Sequence, residues 1–403
     1  MLPLHKLSSD EIHKIRVACS YLFSPELAGN EGFLRRITLD SVKSAFRKKA
    51  KQYHPDLHGN ESGNMAEKRQ GRFIKIRDSY EVLKSYVYRN DESEHRGVRR
   101  RKIVAVGGAK GGIGKTIFSA NLGVMLAFRG RLTVLVDLDL GGANLHLYLG
   151  ETFLESSIND FLTNRAPTLE EIMVLNRYGV ELIGGDSSQL GAANVNFSRK
   201  LKLLKSIREL DAEYVICDLG GDTCYNVIDF FLAADHGLVL TTCDPASYLE
   251  AYNFIKVALY RKLSRLFGPE SDFTGRKDFA LERLINKATA PSSTNRVNSI
   301  AELIERVKKH HPRSLFLIKR ALKTFKPGLI VNMTGNDSSV MEVVNRIREV
   351  SQTMLSIQVG YLGSIAYQPE IKASAKDLTP AVARHPDGIF ADTIGHIIDK
   401  IGR

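Results

Sequence analysis

Residues 107–116, Gly107-Gly-Ala-Lys-Gly-Gly-Ile-Gly-Lys-Thr116, set the fold of this chain. They follow a short apolar run, Ile103–Val106, and lead into a helix-forming apolar segment. The order strand, glycine-rich loop, helix predicts a loop whose backbone N–H groups hold phosphates at the start of a helix. In such a loop Lys115 reaches the β- and γ-phosphates, and the hydroxyl of Thr116 binds Mg²⁺. The alternative is a tight turn with solvated lysines, but two later motifs favour the phosphate site.

Length and composition indicate a globular protein of two or three domains. The chain has 403 residues, of which 43% are apolar and 25% charged. It contains no apolar run that could span a membrane, and its first residues lack the apolar core of a signal peptide, so we expect a cytoplasmic protein. The four cysteines show no C-x-x-C spacing. The absence of such cysteine pairs argues against a disulfide framework, a zinc site or an iron–sulfur cluster.

The net charge of +12 is concentrated in two regions. Residues 1–100 contain 20 Lys/Arg against 13 Asp/Glu, and residues 261–326 contain 16 against 6. Basic regions of this kind are typical of contacts with nucleic acid, anionic lipid or an acidic protein. A solvated basic face is an equally good alternative.

The first hundred residues predict a small helical domain. Apolar residues at helical spacing predict one helix over 11–23, a loop rich in Gly, Asn and Pro, and a second helix from Asp40. Lysine and arginine side chains occupy the other face of the second helix. The segment His54-Pro-Asp56 ends that helix because proline disfavours helix at the preceding residue. A third helix contains residues 73–83.

This helical region resembles a J domain in Phe46–Asp56, FRKKAKQYHPD, and in Tyr80–Leu83, YEVL. The resemblance implies docking on an Hsp70-type chaperone. It assigns that docking to His54, Pro55 and Asp56. The alternative is a helix stop beside a solvated basic face. We place the J-like domain at residues 1–90, a charged linker at 91–101 and a second domain at 102–403.

Apolar strands alternate with helices throughout the second domain. This alternation predicts an α/β fold with a mostly parallel, doubly wound P-loop NTPase sheet, preceded by the small all-α J-like domain. Residues 261–326 interrupt the alternation and carry helical patterning at Ile300–Val307 and Leu315–Phe325. We interpret them as a basic helical insertion. The terminal segment, Ile394–Arg403, is apolar on one face but short and poor in basic residues, which favours core packing over membrane binding.

Carboxylates follow two of the predicted strands. Asp218 ends the strand Tyr214–Asp218, where it can hold a Mg²⁺-bound water. Asp137 and Asp139 end the strand Thr133–Asp139, and their alternating spacing places both on one side of it. We expect Asp139 to orient the attacking water and Asp137 to bind Mg²⁺ or the loop. Functional groups in parallel sheets gather at the carboxyl ends of strands, so these side chains should lie near the glycine-rich loop.

Three segments of the second domain resemble the MinD/ParA group of deviant Walker A ATPases. They are Lys110–Thr116, KGGIGKT, Val136–Leu145, VDLDLGGANL, and Ile216–Gly221, ICDLGG. The likeness extends from residue 102 to the C-terminus except for the insertion. The subgroup that sets flagellar number and position is the most similar. Relatives that carry iron–sulfur clusters need cysteine pairs, which this sequence lacks.

The resemblance implies a protein that forms a homodimer around ATP and Mg²⁺ and hydrolyses ATP slowly without a partner. It implies that Lys110, which the general pattern does not explain, contacts the phosphates of the partner's nucleotide, and that Asn332 reads adenine. The phosphate-binding residues that it implies are Gly111, Gly112, Ile113, Gly114, Lys115 and Thr116, and the Mg²⁺ ligands are Thr116, Asp137 and Asp218.

The sequence departs from the family at two places. Ile365-Ala-Tyr-Gln368 stands where the family usually has Ile-Pro-Tyr-Asp, which weakens the case for base recognition by that loop. Residues 219–222, Leu-Gly-Gly-Asp, replace the small residues that the family usually has after this strand. We therefore expect this loop to respond to the bound nucleotide differently from the corresponding loop of the family.

We therefore expect a molecular switch that positions or regulates a cellular assembly, cytoplasmic or peripheral at the inner face of the cell membrane. Two alternatives remain open. One is a chaperone-recruiting adaptor with a degenerate ATPase, and the other is a partition-type ATPase that binds DNA. The basic insertion is the candidate contact with DNA or a membrane surface.

Overall fold

A computed structural model describes residues 9–37, 39–53, 64–91, 101–187, 195–268, 278–287, 299–335 and 339–402. They form two compact units. The first comprises residues 1–101 with 124–133 and 175–181, and the second comprises the remainder of 102–403. The predicted docking residues His54, Pro55 and Asp56 lie outside the described residues, as do residues 92–100 of the predicted linker.

The N-terminal region is helical, as the sequence predicts. Its described helices are α1 (Ser9–Leu22), α2 (Pro25–Gly29), α3 (Glu31–Arg36), α4 (Leu39–Tyr53) and α5 (Asn64–Asp91). Helix α5 packs against both α1 and α4. Fully buried side chains such as Cys19, Val42 and Leu83 form the core between them.

Two short helices, α2 and α3, occupy the segment for which the sequence predicts a loop. Ser24 caps α2 by accepting a hydrogen bond from the N–H of Leu27 at 3.2 Å, and Pro25 stands at the first helical position. Asn30 caps α3 by accepting from the N–H of Phe33 at 3.0 Å. Both side chains satisfy N–H groups that a helix start leaves unpaired, so residues typical of loops here begin helices instead.

The second unit is built around an eight-stranded sheet. Its strands are β1 (Lys102–Gly107), β2 (Thr133–Leu138), β3 (Val174–Leu175), β4 (Glu181–Ile183), β5 (Tyr214–Leu219), β6 (His236–Thr241), β7 (Gly328–Thr334) and β8 (Gly360–Ala366). Their order is β3-β4-β2-β5-β1-β6-β7-β8. Strand β1 pairs in parallel with β5 and β6, and β6–β7 and β7–β8 are also parallel. The predicted mostly parallel α/β sheet is confirmed.

Helices follow most of the strands. They are α6 (Lys115–Phe128), α7 (Leu145–Tyr148), α8 (Ile158–Leu162), α9 (Phe197–Glu209), α10 (Tyr225–Ala233), α11 (Pro245–Arg265), α12 (Phe279–Lys287), α13 (Ile300–His310), α14 (Leu315–Thr324), α15 (Ser339–Leu355), α16 (Pro369–Lys376), α17 (Ala381–Arg384) and α18 (Ile389–Gly402). All six residues of β2 are buried. Strands buried on both faces explain the near-continuous apolar runs of the sequence.

The inserted region between α11 and β7 is helical in its described part, as predicted. It contains α13 and α14 and also α12, for which the sequence analysis names no helix. The apolar faces of α13 and α14 are buried, for example at Leu303 and Ile318. Helix α14 packs against α11, and α13 packs against α15.

The C-terminal helix α18 packs its apolar face into the protein. Ile394, Ile397 and Ile401 are all at most 3% exposed, so the predicted core packing is confirmed. None of the helices described for this chain combines the length and the apolarity needed to span a membrane.

Candidate functional site

The glycine-rich loop lies between β1, which ends at Gly107, and α6, which begins at Lys115. Gly112 and Gly114 have φ angles of 74° and 86°, a region that favours glycine over residues with a Cβ atom. A Cβ atom at Gly114 would also lie 2.5 Å from Nδ2 of Asn332. The loop conformation therefore requires glycine here for two independent reasons.

Lys115 is buried at the centre of the loop. Its Nζ atom donates a hydrogen bond to the carbonyl of Lys110 at 3.0 Å. Burial lowers the pKa of Lys115, and the carboxylates of Asp218, Asp139 and Asp222 oppose that shift. The ammonium group thus lies in the field of carboxylates from two segments, one after β2 and one at the end of β5 and in the loop after it, at a position where it could bind an anionic phosphate.

Lys110 reaches a different part of the same chain. Its Nζ atom is 2.7 Å from Oδ2 of Asp244, and the two side chains are 38% and 51% exposed. Asp244 caps α11 by accepting a hydrogen bond from the N–H of Ser247. The hydrogen bond from Lys110 lowers the pKa of Asp244. An exposed pair of this kind is weak, so Lys110 can exchange Asp244 for another anion at little cost.

Asp218 stands near the end of β5, and only 1% of it is exposed. Its Oδ1 atom accepts a hydrogen bond from the hydroxyl of Ser119 at 2.7 Å. Its Oδ2 atom is buried and has no hydrogen-bond partner among the described residues. Burial raises the pKa of Asp218 to about 6, and hydroxyl groups of Ser119 and Thr116 oppose the shift.

These groups fit a magnesium ion. Mg²⁺ prefers hard oxygen ligands and commonly binds through one carboxylate, with waters and phosphate oxygens completing the shell. The unpartnered Oδ2 atom of Asp218, beside the hydroxyl of Thr116, supplies such oxygens at the start of α6. A buried carboxylate oxygen without a partner is costly unless a cation or a donor approaches it.

Asp137 lies deeper than its neighbour Asp139. It is fully buried on β2. Its Oδ1 and Oδ2 atoms accept hydrogen bonds from the N–H groups of Asp139 at 3.2 Å and Leu145 at 3.0 Å. Burial, and then the charge of Asp218, raise the pKa of Asp137 to about 8. Both oxygens therefore organise the loop after β2, and each keeps a second lone pair that could face a cation.

Asp139 lies one residue past the end of β2 and is half-buried. Burial raises the pKa of Asp139, and the nearby ammonium of Lys115 opposes the shift. Its Oδ1 atom would be 3.1 Å from a Cβ atom at Gly220. The carboxylate thus lies between the loop after β2 and the loop after β5, close to Lys115.

The loop after β5 packs directly on the glycine-rich loop. A Cβ atom at Gly221 would lie 3.1 Å from Nζ of Lys115 and 3.2 Å from the backbone nitrogen of Gly111. The next residue, Asp222, accepts a hydrogen bond from the N–H of Cys224 at 2.8 Å. Asp222 has no role among those that the sequence pattern predicts. Its position four residues after Asp218, in the loop that follows the same strand, is the sequence feature that could have indicated a role at this site.

Asn332, for which the resemblance implies adenine recognition, lies on β7 beside the loop. Its Nδ2 atom donates a hydrogen bond to the carbonyl of Ile113 at 2.7 Å. A mostly apolar cavity of about 300 Å³ adjoins it, and Tyr367 and Gln368 also line this cavity. A mostly apolar cavity edged by amide groups suits a nucleobase, and Gln368 presents an amide where the Ile-Pro-Tyr-Asp motif of the family has a carboxylate.

The structure thus brings the predicted site residues of the second domain to one edge of the sheet. Lys110, Lys115 and Thr116 come from the loop after β1, and the remaining groups come from β2, β5 and β7. They converge although more than 200 residues separate Lys110 from Asn332 in the chain.

Comparison with protein families gives two matches. The family model described as CobQ/CobB/MinD/ParA nucleotide binding domain matches residues 104–381. The DnaJ domain model matches residues 32–91. The first match covers more than half of the chain and includes all site residues of the second domain. The second covers the helices α4 and α5 and the segment between them.

Curated relatives include an antiactivator and a flagellum site-determining protein. The antiactivator FleN of Pseudomonas aeruginosa is 29% identical over 158 residues, which cover 39% of this chain and 56% of that protein. The flagellum site-determining protein YlxH of Helicobacter pylori is 30% identical over 167 residues, 39% of this chain and 53% of that protein. The chain thus spans about half the length of these curated relatives.

Solved structures share the fold. The cell division ATPase MinD of Pyrococcus furiosus aligns with a TM-score of 0.51 and 18% identity, covering 75% of this chain and 99% of that one. MinD of Pyrococcus horikoshii complexed with Mg-ADP aligns with a TM-score of 0.50 and 18% identity, covering 75% and 96%. Together with the family match and the site geometry, this similarity leads to one conclusion. The chain belongs to the CobQ/CobB/MinD/ParA nucleotide-binding family and carries a DnaJ domain at its N-terminal side.

Proposed function

We propose that this protein is an ATP-binding and ATP-hydrolysing switch whose state depends on the bound nucleotide. The observation that carries the proposal is the convergence of Lys115, Asp139 and Asp218 on one glycine-rich loop. Phosphoryl transfer depends mainly on positioning and charge stabilisation, and these groups supply both.

Each residue has a proposed role. The backbone N–H groups of residues 111–116 and the ammonium of Lys115 bind the phosphates. Thr116 and Asp218 would hold Mg²⁺, which would supply positive charge beside the phosphate oxygens when bound. Asp137 supports them through the loop that it organises. Asp139 orients the attacking water, and Asn332 contacts the adenine.

We further propose that ATP drives homodimerisation through Lys110. In the single chain this lysine contacts Asp244, and in the dimer it would contact the partner's nucleotide phosphates. The variant Lys110→Ala should bind ATP but stay monomeric in sedimentation velocity experiments with Mg-ATP. Lys205→Ala, which removes an exposed lysine on α9, is the matched control. Normal ATP-dependent dimers of the Lys110 variant would remove this mechanism.

The N-terminal region supports a second proposed activity, recruitment of an Hsp70-type chaperone. The DnaJ domain match covers residues 32–91, which include His54, Pro55 and Asp56. ATP turnover by an Hsp70 chaperone should rise when this protein is added and should not rise with His54→Gln. Equal stimulation by both forms would exclude the His-Pro-Asp segment as the docking site.

ATP turnover by this protein alone, measured without the chaperone, separates the switch from the adaptor that the sequence leaves open. An adaptor with a degenerate ATPase site would stimulate the chaperone without turnover of its own. The proposed switch hydrolyses ATP slowly by itself, and Asp139→Asn abolishes that turnover without affecting the chaperone.

The cellular role that we propose is the positioning or regulation of an assembly, by analogy with the antiactivator FleN and the flagellum site-determining protein YlxH. The protein would act in the cytoplasm or peripherally at the inner face of the cell membrane. The basic insertion would contact the membrane surface or DNA. The position of a tagged copy at poles, on the nucleoid or throughout the cell tests this assignment directly.

A further inference from the structure

A groove separate from the nucleotide site lies at the amino ends of β6, β7 and β8. Its volume is about 590 Å³, within the range of small-molecule sites, roughly 300–1,000 Å³. Gly328, the first residue of β7, lines the groove, whereas Asn332 on the same strand lies at the nucleotide site. At about 3.3 Å per residue these positions are about 13 Å apart along the strand.

The groove has an excess of positive charge that comes from three different elements. Lys326 precedes β7, Arg348 lies on α15 and Lys400 lies on α18. Glu349 is the one carboxylate among the described residues that line the groove. Three cations and one carboxylate leave an excess of two positive charges. The sequence from 306 to 336 contains no Asp or Glu, so no chain neighbour of Lys326 offsets this excess.

Two of the three cations are already fixed in position. The Nε atom of Arg348 donates a hydrogen bond to the carbonyl of Val359 at 3.1 Å. The Nζ atom of Lys400 donates to the carbonyl of Leu362 at 2.8 Å. Each of these bonds uses one N–H group and leaves further donors for a ligand. Cations that are held in this way lose less conformational entropy when an anion binds.

Apolar side chains form another part of the lining, beside His236, Gln352 and Gln358. Leu238, Ile357 and Leu362 are among these apolar side chains, and a ligand with an organic body can bury apolar surface against them. A bare inorganic ion would leave these side chains uncovered. The groove therefore combines an anion-binding rim with an apolar wall.

We propose that this groove binds a phosphate monoester of small-molecule size. A phosphate monoester carries a charge of about −1.5 to −2 at pH 7, which matches the excess of two positive charges. Two of its phosphate oxygens can accept a pair of hydrogen bonds from the guanidinium of Arg348, and its organic body packs against the apolar wall. The proposal does not depend on the function proposed for the nucleotide site.

Calorimetric titration of the full-length protein with phenyl phosphate tests the proposal. Mg-ADP is present throughout to fill the phosphate loop, and a parallel titration uses Lys115→Ala to disable that loop. We expect one phenyl phosphate per chain in both. The double variant Lys326→Ala/Arg348→Ala should bind roughly tenfold more weakly or worse, because charge-assisted hydrogen bonds are lost. Lys205→Ala, an exposed lysine outside the groove, should bind normally.

Two further probes separate the proposed site from adventitious ion binding. Phenyl sulfate, with a single negative charge, and inorganic phosphate, without an apolar body, should both bind more weakly than phenyl phosphate. Equal binding of all three probes, absence of binding, or normal binding by the double variant would overturn the proposal. Loss of binding in Lys115→Ala would assign the anion to the phosphate loop and overturn it too.

Discussion

Asp229 on α10 has a buried carboxylate that three basic side chains surround. Lys200 contacts it from α9, and Arg261 binds it from α11 with Nε and Nη2 at 2.9 and 3.0 Å. Arg265 approaches to 3.7 Å. Burial alone would raise the pKa of Asp229, but the hydrogen bonds from Arg261 and Lys200 outweigh burial and hold it below its usual range. This cluster joins α10, which follows the loop over the nucleotide site, to two neighbouring helices.

Replacing Asp229 with Asn should lower the free energy of unfolding by about 3–5 kcal/mol, because Lys200 stays buried without its counter-charge. Urea unfolding of the purified variant measures the change. Lys205→Ala breaks an exposed pair with Glu209 on the same helix as Lys200, and we expect a change of at most about 1 kcal/mol there. Equal effects of the two substitutions would show that burial does not control the strength of the cluster.

Asp139 is the residue to which we assign the attacking water. Asp139→Asn keeps the size of the side chain but removes its charge, so we expect ATP hydrolysis to fall by about a hundredfold or more. ADP binding should change little because the phosphate-loop atoms remain. Phosphate release and ADP titration measure the two effects separately. Unchanged hydrolysis would assign the water to another group, of which Asp222 is the nearest unassigned carboxylate along the loop after β5.

The glycine-rich loop depends on a backbone conformation that only glycine adopts easily. Gly114→Ala places a Cβ atom at a φ of 86° and within 2.5 Å of Asn332 Nδ2. We expect the free energy of unfolding to fall by about 1–3 kcal/mol, with a parallel loss of nucleotide affinity. Gly111→Ala is the control for stability, since a Cβ atom there meets open space. Thermal unfolding without nucleotide should separate the two variants, and identical melting temperatures would contradict this account of the loop.

Helix α14 of the insertion has one face in the core and the other in solvent. Leu317 is 5% exposed, whereas its neighbour Phe316 is 69% exposed. Leu317→Ser should lower the free energy of unfolding by about 2–5 kcal/mol, and Phe316→Ser should change it by at most about 0.5 kcal/mol. Urea unfolding of both variants measures this difference. A large loss for Phe316→Ser would place that side chain in a packed interface.

Nucleotide binding should stabilise the whole molecule. A ligand that binds only the folded state adds about 2.7 kcal/mol at a concentration of one hundred times its Kd. Mg-ATP should therefore raise the melting temperature of the wild-type protein, and removal of the metal with EDTA should reverse most of the rise if Asp218 and Thr116 hold the ion. Lys115→Ala should show no rise. A rise that EDTA leaves unchanged would separate nucleotide binding from the proposed metal ligands.

Much of the second unit could be predicted from local patterns. The long strands β1, β2, β5 and β7 are buried on both faces, so their apolar runs were easy to recognise. The two-residue strand β3 and the short helices α16 and α17 carry too few residues for a periodic signal. Helices α2 and α3 were missed because Ser24 and Asn30 are as typical of loops as of helix caps.

The sequence alone predicted the phosphate-binding loop, the alternation of strands and helices, and the resemblance of both domains to known families. These features follow from backbone geometry and from side-chain periodicity, which are local properties of the chain. The partners of individual side chains became visible only in the folded molecule. Three examples are the contact of Lys110 with Asp244, the hydrogen bonds from backbone N–H groups to both Asp137 oxygens, and the basic groove. The first and the third join residues that are distant in sequence, and the second depends on the path of the loop after β2. Such contacts depend on how elements pack in space, because the same side chain can face a phosphate, a carboxylate or water.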